Sequence, residues 1–187
     1  MSPPKLRWDL LRIYVTPTKN KIDPKLLLLR LLKACNTYID HLSHDIYEEM
    51  KRTDPVLADM FTASIDKNGT KYLIFNIEGF IDAQGSAIEI ALNNNKRLYL
   101  LKTQYQAVKN LCSLLDDSKQ SIQKQYQNFS TNFNISLPLF ETQKNHKATK
   151  QFLKIVTATL ATLSKTDIVD LPQVLCSNSK SVNTRKK

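Results

Sequence analysis

The six residues DHLSHD, at positions 40–45, hold two of the three histidines of the chain between two aspartates. Histidine and carboxylate side chains are common metal ligands and common general acids and bases. A zinc ion needs three or four ligands around one point, whereas two histidines three residues apart supply two at most. The third histidine, His146, is far away along the chain. The motif therefore predicts no metal site, no cofactor and no catalytic centre.

The element that carries this motif is predicted to be a long helix. Asp23 can cap its first turn, and Pro24 follows at a position where the missing N–H costs nothing. Apolar residues from Leu28 to Ile46 recur at steps of three and four, which is one face of a helix. The helix is expected to run to about Arg52.

On that helix the polar residues of the motif are predicted to face water. At about 100° per residue, His44 points away from the apolar stripe and His41 lies at its margin. Asp40 and His44 are four residues apart, as are His41 and Asp45, so each pair can interact on the solvent side. We therefore interpret DHLSHD as a charge-paired solvent face.

Composition excludes several other kinds of chemistry. Glycine occurs only three times, and neither a phosphate-binding G-x-x-x-x-G-K-[ST] loop nor a G-x-S-x-G nucleophile motif is present. Cys35, Cys112 and Cys176 are odd in number and far apart, which favours reduced thiols in an intracellular protein. Cys35 and Cys112 lie in apolar stripes and are expected to fill the core. No apolar stretch is long enough to cross a bilayer, so we expect a soluble chain with no membrane partner.

The positive charge of the chain is concentrated at its two ends. The formal net charge is +10, with +6 in residues 1–37, −3 in residues 38–143 and +7 in residues 144–187. This asymmetry favours a polyanionic partner, although solubility alone also explains a basic composition.

The remaining patterns predict a mostly α-helical bundle. Its predicted parts are a helix over VLADMFTASI after Asp54 and Pro55, a turn at DKNGT, and a last helix over about 143–164. KYLIFNI can be a strand or a buried helix end, which leaves minor strand content near residues 70–77 as an alternative.

The strongest repeat predicts one helix over about 94–129, roughly 50 Å long. Its seam alternates steps of three and four, with Lys119 as the one charged member, expected at the margin of the seam or facing an acid. NFSTNFNISLPLF, at 128–140, is predicted to be a linker broken by Pro138. The seam residues are Leu98, Leu101, Tyr105, Val108, Cys112, Leu115, Lys119, Ile122, Tyr126 and Phe129.

We therefore expect an irregular helical bundle with two long helices and two or three shorter ones. The bundle should cover residues 22–165. A basic segment at 1–21 precedes it, and a basic tail at 166–187, expected to be flexible, follows it.

Three basic helix faces are candidates for binding a nucleic-acid backbone. On the last helix, Lys147, Lys150 and Lys154 step by three and four on the side opposite Phe152, a spacing that can follow a row of phosphates. An ordinary solvated helix face explains the same spacing equally well.

The other two basic faces lie on the long helices. Arg30 and Lys33 occupy the water side of the first helix near its positive N-terminal end, which attracts anions. Lys102, Lys109 and Lys124 occupy one flank of the predicted 94–129 helix, interleaved with glutamines that can contact phosphate and sugar.

These features favour a non-enzymatic helical subunit of a nucleoprotein complex that binds the RNA or DNA backbone without reading sequence. Its other partners would be protein subunits of the same complex. The role is analogous to that of the small helical subunit of multi-subunit CRISPR effector complexes, an analogy of size and charge that no motif carries. A second hypothesis is a protein–protein adaptor or scaffold that uses the heptad seam, and an unrecognised enzyme is a third.

Overall fold

The computed structural model describes residues 22–143 and 146–165. Within these ranges the chain forms seven helices and one antiparallel hairpin, which confirms the mostly α-helical class with minor strand content. The predicted segments at 1–21 and 166–187 lie outside the described residues. The elements are α1 (Pro24–Thr53), α2 (Pro55–Met60), β1 (Thr62–Lys67), β2 (Thr70–Phe75), α3 (Ile77–Asp82), α4 (Ser86–Asn94), α5 (Lys96–Leu115), α6 (Ile122–Glu141) and α7 (Lys147–Lys165).

Helix α1 is the centre of the fold and begins as predicted. The Asp23 carboxylate accepts a hydrogen bond from the Lys25 N–H at 3.0 Å, and Pro24 occupies the first helical position. One face of α1 packs on α5 and another on α7. The helix ends where Asp54 turns the chain and accepts from the Leu57 N–H at 3.1 Å, which caps α2.

The single helix predicted over 94–129 is wrong, because the chain breaks between α5 and α6. Asp116 to Ser121 form a loop, and the Ser121 hydroxyl accepts from the Lys124 N–H at 3.1 Å to start α6. Gln125 Nε2 closes the corner by donating to the Leu115 and Asp117 carbonyls at 3.0 and 2.9 Å. Short polar side chains that bond to nearby backbone outweigh the continuing heptad.

The break changes what the heptad seam does. Leu98, Leu101 and Val108 on α5 and Phe129 on α6 are all buried in the core of this chain, because the two helices fold back on each other. Lys119 is exposed in the loop instead of lying at the margin of a seam. The seam therefore packs within the chain and does not present an apolar stripe to a partner.

The predicted linker at 128–140 is also wrong, since it forms most of α6. Phe129, Phe133 and Phe140 are buried from this helix, and Pro138 lies inside its last turn. The carbonyl of Leu139, near the helix end, accepts from Gln104 Nε2 of α5 at 3.1 Å. Burial of three phenylalanines outweighs the local cost of the proline.

The strand near residues 70–77 is confirmed as β2, and its partner was missed. The helix predicted over VLADMFTASI stops at Met60, and the chain then enters β1. Asn68 and Gly69 join the strands with φ of 56° and 80°, as the turn signal predicted. Periodicity could not find β1, because neither of its faces is buried.

A buried carboxylate joins the end of α1 to the start of α5. Glu49, whose side chain is 5% exposed, is 2.7 Å from Arg52 Nη2 and 3.4 Å from Arg97 Nε. Asn95 Nδ2 also donates to Glu49 at 2.9 Å, while Asn95 Oδ1 accepts from the Leu98 N–H and caps α5. Burial opposes ionisation of Glu49, but the hydrogen bonds from Asn95 and Arg52 and the two arginine charges more than offset it and hold its pKa below the ordinary value.

Replacing Glu49 by Gln should therefore destabilise the fold. We expect the free energy of unfolding at pH 7, measured by urea titration, to fall by about 1.5–3 kcal/mol, the range for hydrogen bonds to a charged group. Because the folded-state pKa is lowered, the carboxylate stabilises the fold above its unfolded pKa, and this contribution is lost as the pH falls through the folded pKa. The difference between wild type and Glu49→Gln should accordingly shrink below about pH 4.

Glu48 supplies the matched control, because it lies on the same turn, is 48% exposed and has only a 4.0 Å contact with Lys51. We expect Glu48→Gln to change stability by less than about 0.5 kcal/mol. An equal loss in both variants, or a Glu49→Gln loss that does not decrease at all as the pH falls below about 4, would contradict the assignment.

Candidate nucleic-acid interface

Helices α1 and α7 pack antiparallel, and three contacts fix their register. Asp45 Oδ2 is 3.6 Å from His146 Nε2 at the start of α7. About two turns earlier on α1, the Tyr38 hydroxyl is hydrogen-bonded to Thr149 Oγ1 at 2.9 Å in the interior. The Tyr38 ring stacks on Phe152 with centroids 4.5 Å apart. The N-terminal half of α1 therefore lies beside the middle of α7.

A groove of about 430 Å³ runs between these two helices. Its walls are mainly apolar, and Arg30 and Lys33 stand on the α1 side. The buried rings of Tyr38 and Phe152 form its floor. The groove is lined by Arg30, Lys33, Ala34, Thr37, Tyr38, His41, Ala148, Gln151, Phe152 and Ile155.

The lysines of α7 lie on the strip next to this groove. Lys147, Lys150 and Lys154 are exposed and follow Gln151 around the helix, on the side away from the core. Together with Arg30 and Lys33 they form what we call the α1/α7 basic surface. Two faces that the sequence predicted separately are thus parts of one surface.

The cations of this surface are not paired with a carboxylate in the part of the chain that the structure describes. Residues 24–39 of α1 and all of α7 contain lysine and arginine but no aspartate or glutamate. None of the five cations of the α1/α7 basic surface forms an ion pair within 4.0 Å with any residue that the structure describes. Their charges are therefore available to an anion from outside.

The third predicted basic face is not a single flank, because the chain breaks between α5 and α6. Lys109 Nζ lies 3.5 Å from Glu78 Oε1 of α3, and Lys102 Nζ lies 5.9 Å from the centre of the Phe80 ring. Lys124 is on the first turn of α6, a different helix. Lys102 and Lys109 contact α3 within the chain, so their positive charges are partly engaged.

Glu78 also holds the hydroxyl of Tyr105, which donates to Glu78 Oε2 at 2.8 Å. Burial, and then this hydrogen bond, raise the pKa of Tyr105. The contacts of Glu78 with Tyr105 and Lys109 hold α3 against α5, so these three polar residues have a structural role.

The DHLSHD motif divides between two grooves instead of forming one site. His41 lines the α1/α7 groove, while Asp40 and His44 line a second groove beneath the hairpin. Asp40, His41 and His44 are exposed, as expected. The expected pairing of His41 with Asp45 is wrong, because Asp45 pairs with His146.

Among residues 22–143 and 146–165, no three His, Cys, Asp or Glu side chains are grouped so that they could hold a metal ion. Cys35 and Cys112 are free and buried, as the sequence predicted. A hydrogen bond with Cys112, together with burial, raises the pKa of Cys35, so this thiol stays protonated at neutral pH.

No helix of the described chain is both long enough and apolar enough to span a bilayer. Comparison with known proteins finds no family model, no curated protein and no solved structure that matches the chain. Function is therefore inferred from the α1/α7 basic surface itself.

The Tyr38–Thr149 hydrogen bond that sets this surface can be tested by a double-mutant cycle. We expect Tyr38→Phe and Thr149→Val each to lower the free energy of unfolding by about 1–3 kcal/mol, because each leaves a buried polar group without its partner. The double variant should lose clearly less than the sum, since it leaves neither hydroxyl behind. Strict additivity in urea unfolding would show that the two groups do not interact.

Proposed function

We propose that this chain is a non-enzymatic helical subunit of a nucleoprotein complex, which binds the nucleic-acid backbone through the α1/α7 basic surface. The observation that carries the proposal is the convergence of Arg30 and Lys33 with Lys147, Lys150 and Lys154 on one side of the molecule. Two helices far apart in sequence contribute to it, so it is not the solvated side of one helix.

The geometry of the lysine row suits phosphates. At 1.5 Å per residue, Lys147 and Lys154 are about 10 Å apart along α7, with Lys150 between them. Flexible lysines neutralise phosphates as point charges and carry no base-edge pattern. The surface is therefore suited to holding a backbone without reading its sequence.

The proposal includes no catalytic role. In the described chain, the buried carboxylate Glu49 is occupied by arginines, and the buried hydroxyls of Tyr38 and Tyr105 bond within the chain. Each of these groups joins one helix to another. These contacts within the chain explain why the three polar groups are buried, so no substrate is needed to explain it.

Changing Lys147, Lys150 and Lys154 together to Glu should abolish nucleic-acid binding and leave the fold intact. All three side chains are exposed, and surface changes usually alter stability by less than about 0.5 kcal/mol each. Each phosphate contact contributes about 0.9 to the slope of log affinity against log salt on duplex DNA, and about 0.7 on single strands. The triple variant should flatten that slope by about two to three units in a salt titration of binding, with circular dichroism melts run beside it.

A charge-matched control separates this surface from the total charge of the chain. Lys51, Lys67 and Lys96 are exposed on the end of α1, the hairpin and the start of α5. Changing these three to Glu makes the same change in net charge and should leave most of the affinity and slope. Equal losses in the two triple variants would rule out a local site, and no binding by wild type at low salt would refute the proposal.

A second candidate function, a protein adaptor, is favoured by the hairpin. Cross-strand pairing puts Ala63 opposite Ile74 and Ile65 opposite Tyr72, so these four share one face. Ile65, Tyr72 and Ile74 are 45–52% exposed on that face. A two-stranded sheet with an uncovered apolar face is unusual and suits a protein partner better than a polyanion.

Replacing Ile65 and Ile74 with Thr tests the adaptor role, because threonine keeps the strand propensity and removes apolar surface. We expect unchanged melting of the bundle. A protein that co-purifies in stoichiometric amount from nuclease-treated native extract should be lost. The matched control is Ile90→Thr with Ile135→Thr, which are exposed on helices. Retention of that protein by the hairpin variant would remove the adaptor role from this face.

A further inference from the structure

We propose that the nucleic acid held by this chain is single-stranded, with unpaired bases entering the α1/α7 groove while their phosphates lie on the neighbouring lysines. The inference rests on the proposed function and specifies its ligand. It starts from a feature that backbone binding alone leaves unexplained: the groove between the two rows of cations is mainly apolar.

A duplex has no exposed apolar base face that could enter this groove. The outside of a double helix presents phosphates and sugars, and its bases are stacked and paired within. A single strand exposes the faces of its bases, and proteins that hold it combine a cationic groove with side chains on which bases rest. The side chains of Ala34, Ala148 and Ile155 provide apolar walls between cations in this way.

Two exposed side chains at the groove can stack on bases. Arg30 and His41 both line it and are both exposed, about 16 Å apart along α1 at 1.5 Å per residue. A guanidinium plane and an imidazole ring are each common stacking partners of unpaired bases. Tyr38 and Phe152 are buried and stacked on each other, so they form the floor and do not stack on a base.

Polar groups at the same groove can satisfy base edges. Gln151 stands on the α7 side and Thr37 on the α1 side, and both are exposed. An amide and a hydroxyl can each donate and accept hydrogen bonds, so they tolerate different bases. This arrangement fits binding of single strands with weak sequence preference.

Charge alone would give the opposite preference. Duplex DNA has the higher charge density, and each phosphate contact releases more counterion from it than from a single strand. A surface that acted only through its cations would therefore bind duplex at least as tightly. A preference for single strands would have to come from the groove.

The test uses the full chain and fluorescence anisotropy with labelled (dT)20, U20 and a 20-base-pair duplex at one salt concentration. We expect each single strand to bind at least about tenfold more tightly than the duplex. A tenfold difference in affinity lies in the lower part of the range that one stacked base contributes. Ala148→Leu, which fills part of the groove without adding a ring on which a base can stack, should weaken single-strand binding about tenfold and leave the salt slope and duplex affinity unchanged.

Two further variants keep the test decisive. Ala87→Leu makes the same substitution on α4, in a different groove, and should change nothing. His41→Ala removes an exposed ring, cannot disturb the core, and should weaken single-strand binding several-fold even if Ala148→Leu fails to fold.

The outcomes separate the two proposals. Duplex binding equal to or tighter than single-strand binding overturns the inference and leaves backbone binding standing. Equal weakening of single-strand and duplex binding by Ala148→Leu or His41→Ala also overturns it. Absence of binding to all three probes at low salt refutes the proposed function itself.

Discussion

The arrangement of the molecule depends on an aromatic cluster that joins three helices. Tyr38 of α1 stacks on Phe152 of α7, and both meet Phe140 of α6 edge-on, at 6.0 and 5.3 Å between ring centres. Phe133 closes the group from α6. The edge-on pairs have the geometry that aromatic quadrupoles favour, and each large ring also buries much apolar surface. The Tyr38 hydroxyl adds direction, since it must face Thr149 to avoid an unpaired buried group.

That cluster determines which side of α7 faces water. With Phe152 and Thr149 directed into the core, the lysines three and four residues apart must lie outward. The acids of α1 are placed differently: Glu49 pairs with Arg52 and Arg97, and Asp45 pairs with His146. Two of the four acids of α1 are thus engaged with the start of α5 and with His146 before α7, whereas Asp40 and Glu48 are exposed. Arg30 and Lys33, in the cationic half of α1, form no ion pair within 4.0 Å with a described residue.

The sequence predicts those elements whose structure is determined by interactions between residues close together in the chain. The start of α1 depends on Asp23 and Pro24, and the hairpin turn depends on Asn68 and Gly69, so neighbours in sequence suffice. After Leu115 a continuing heptad pattern competes with polar side chains that bond to the backbone and end the helix. Hydrophobic periodicity detects the heptad but not the polar side chains.

The candidate site was predictable residue by residue but not as an assembly. Exposure of Arg30 and Lys147 follows from helical spacing alone. Their convergence requires α7 to pack antiparallel on α1, which depends on contacts more than a hundred positions apart, such as Tyr38 with Thr149. The same is true of His146, whose contact with Asp45 no local pattern could identify. Lys109 is the opposite case. Helical spacing placed it on an open basic face, but spacing does not reveal that Glu78 of α3 packs beside it.

The groove is lined by a small residue on each of the two helices, Ala34 of α1 and Ala148 of α7. Ala34 is buried in the core, whereas Ala148 is half-buried, so a leucine at position 148 would fill part of the groove and bury apolar surface. The neighbouring stretch of α1 is rich in leucine, so large apolar residues are otherwise used freely on this helix. The groove is an apolar cleft between cations. The proposed ligand, a single strand with apolar bases and charged phosphates, would use both parts of it.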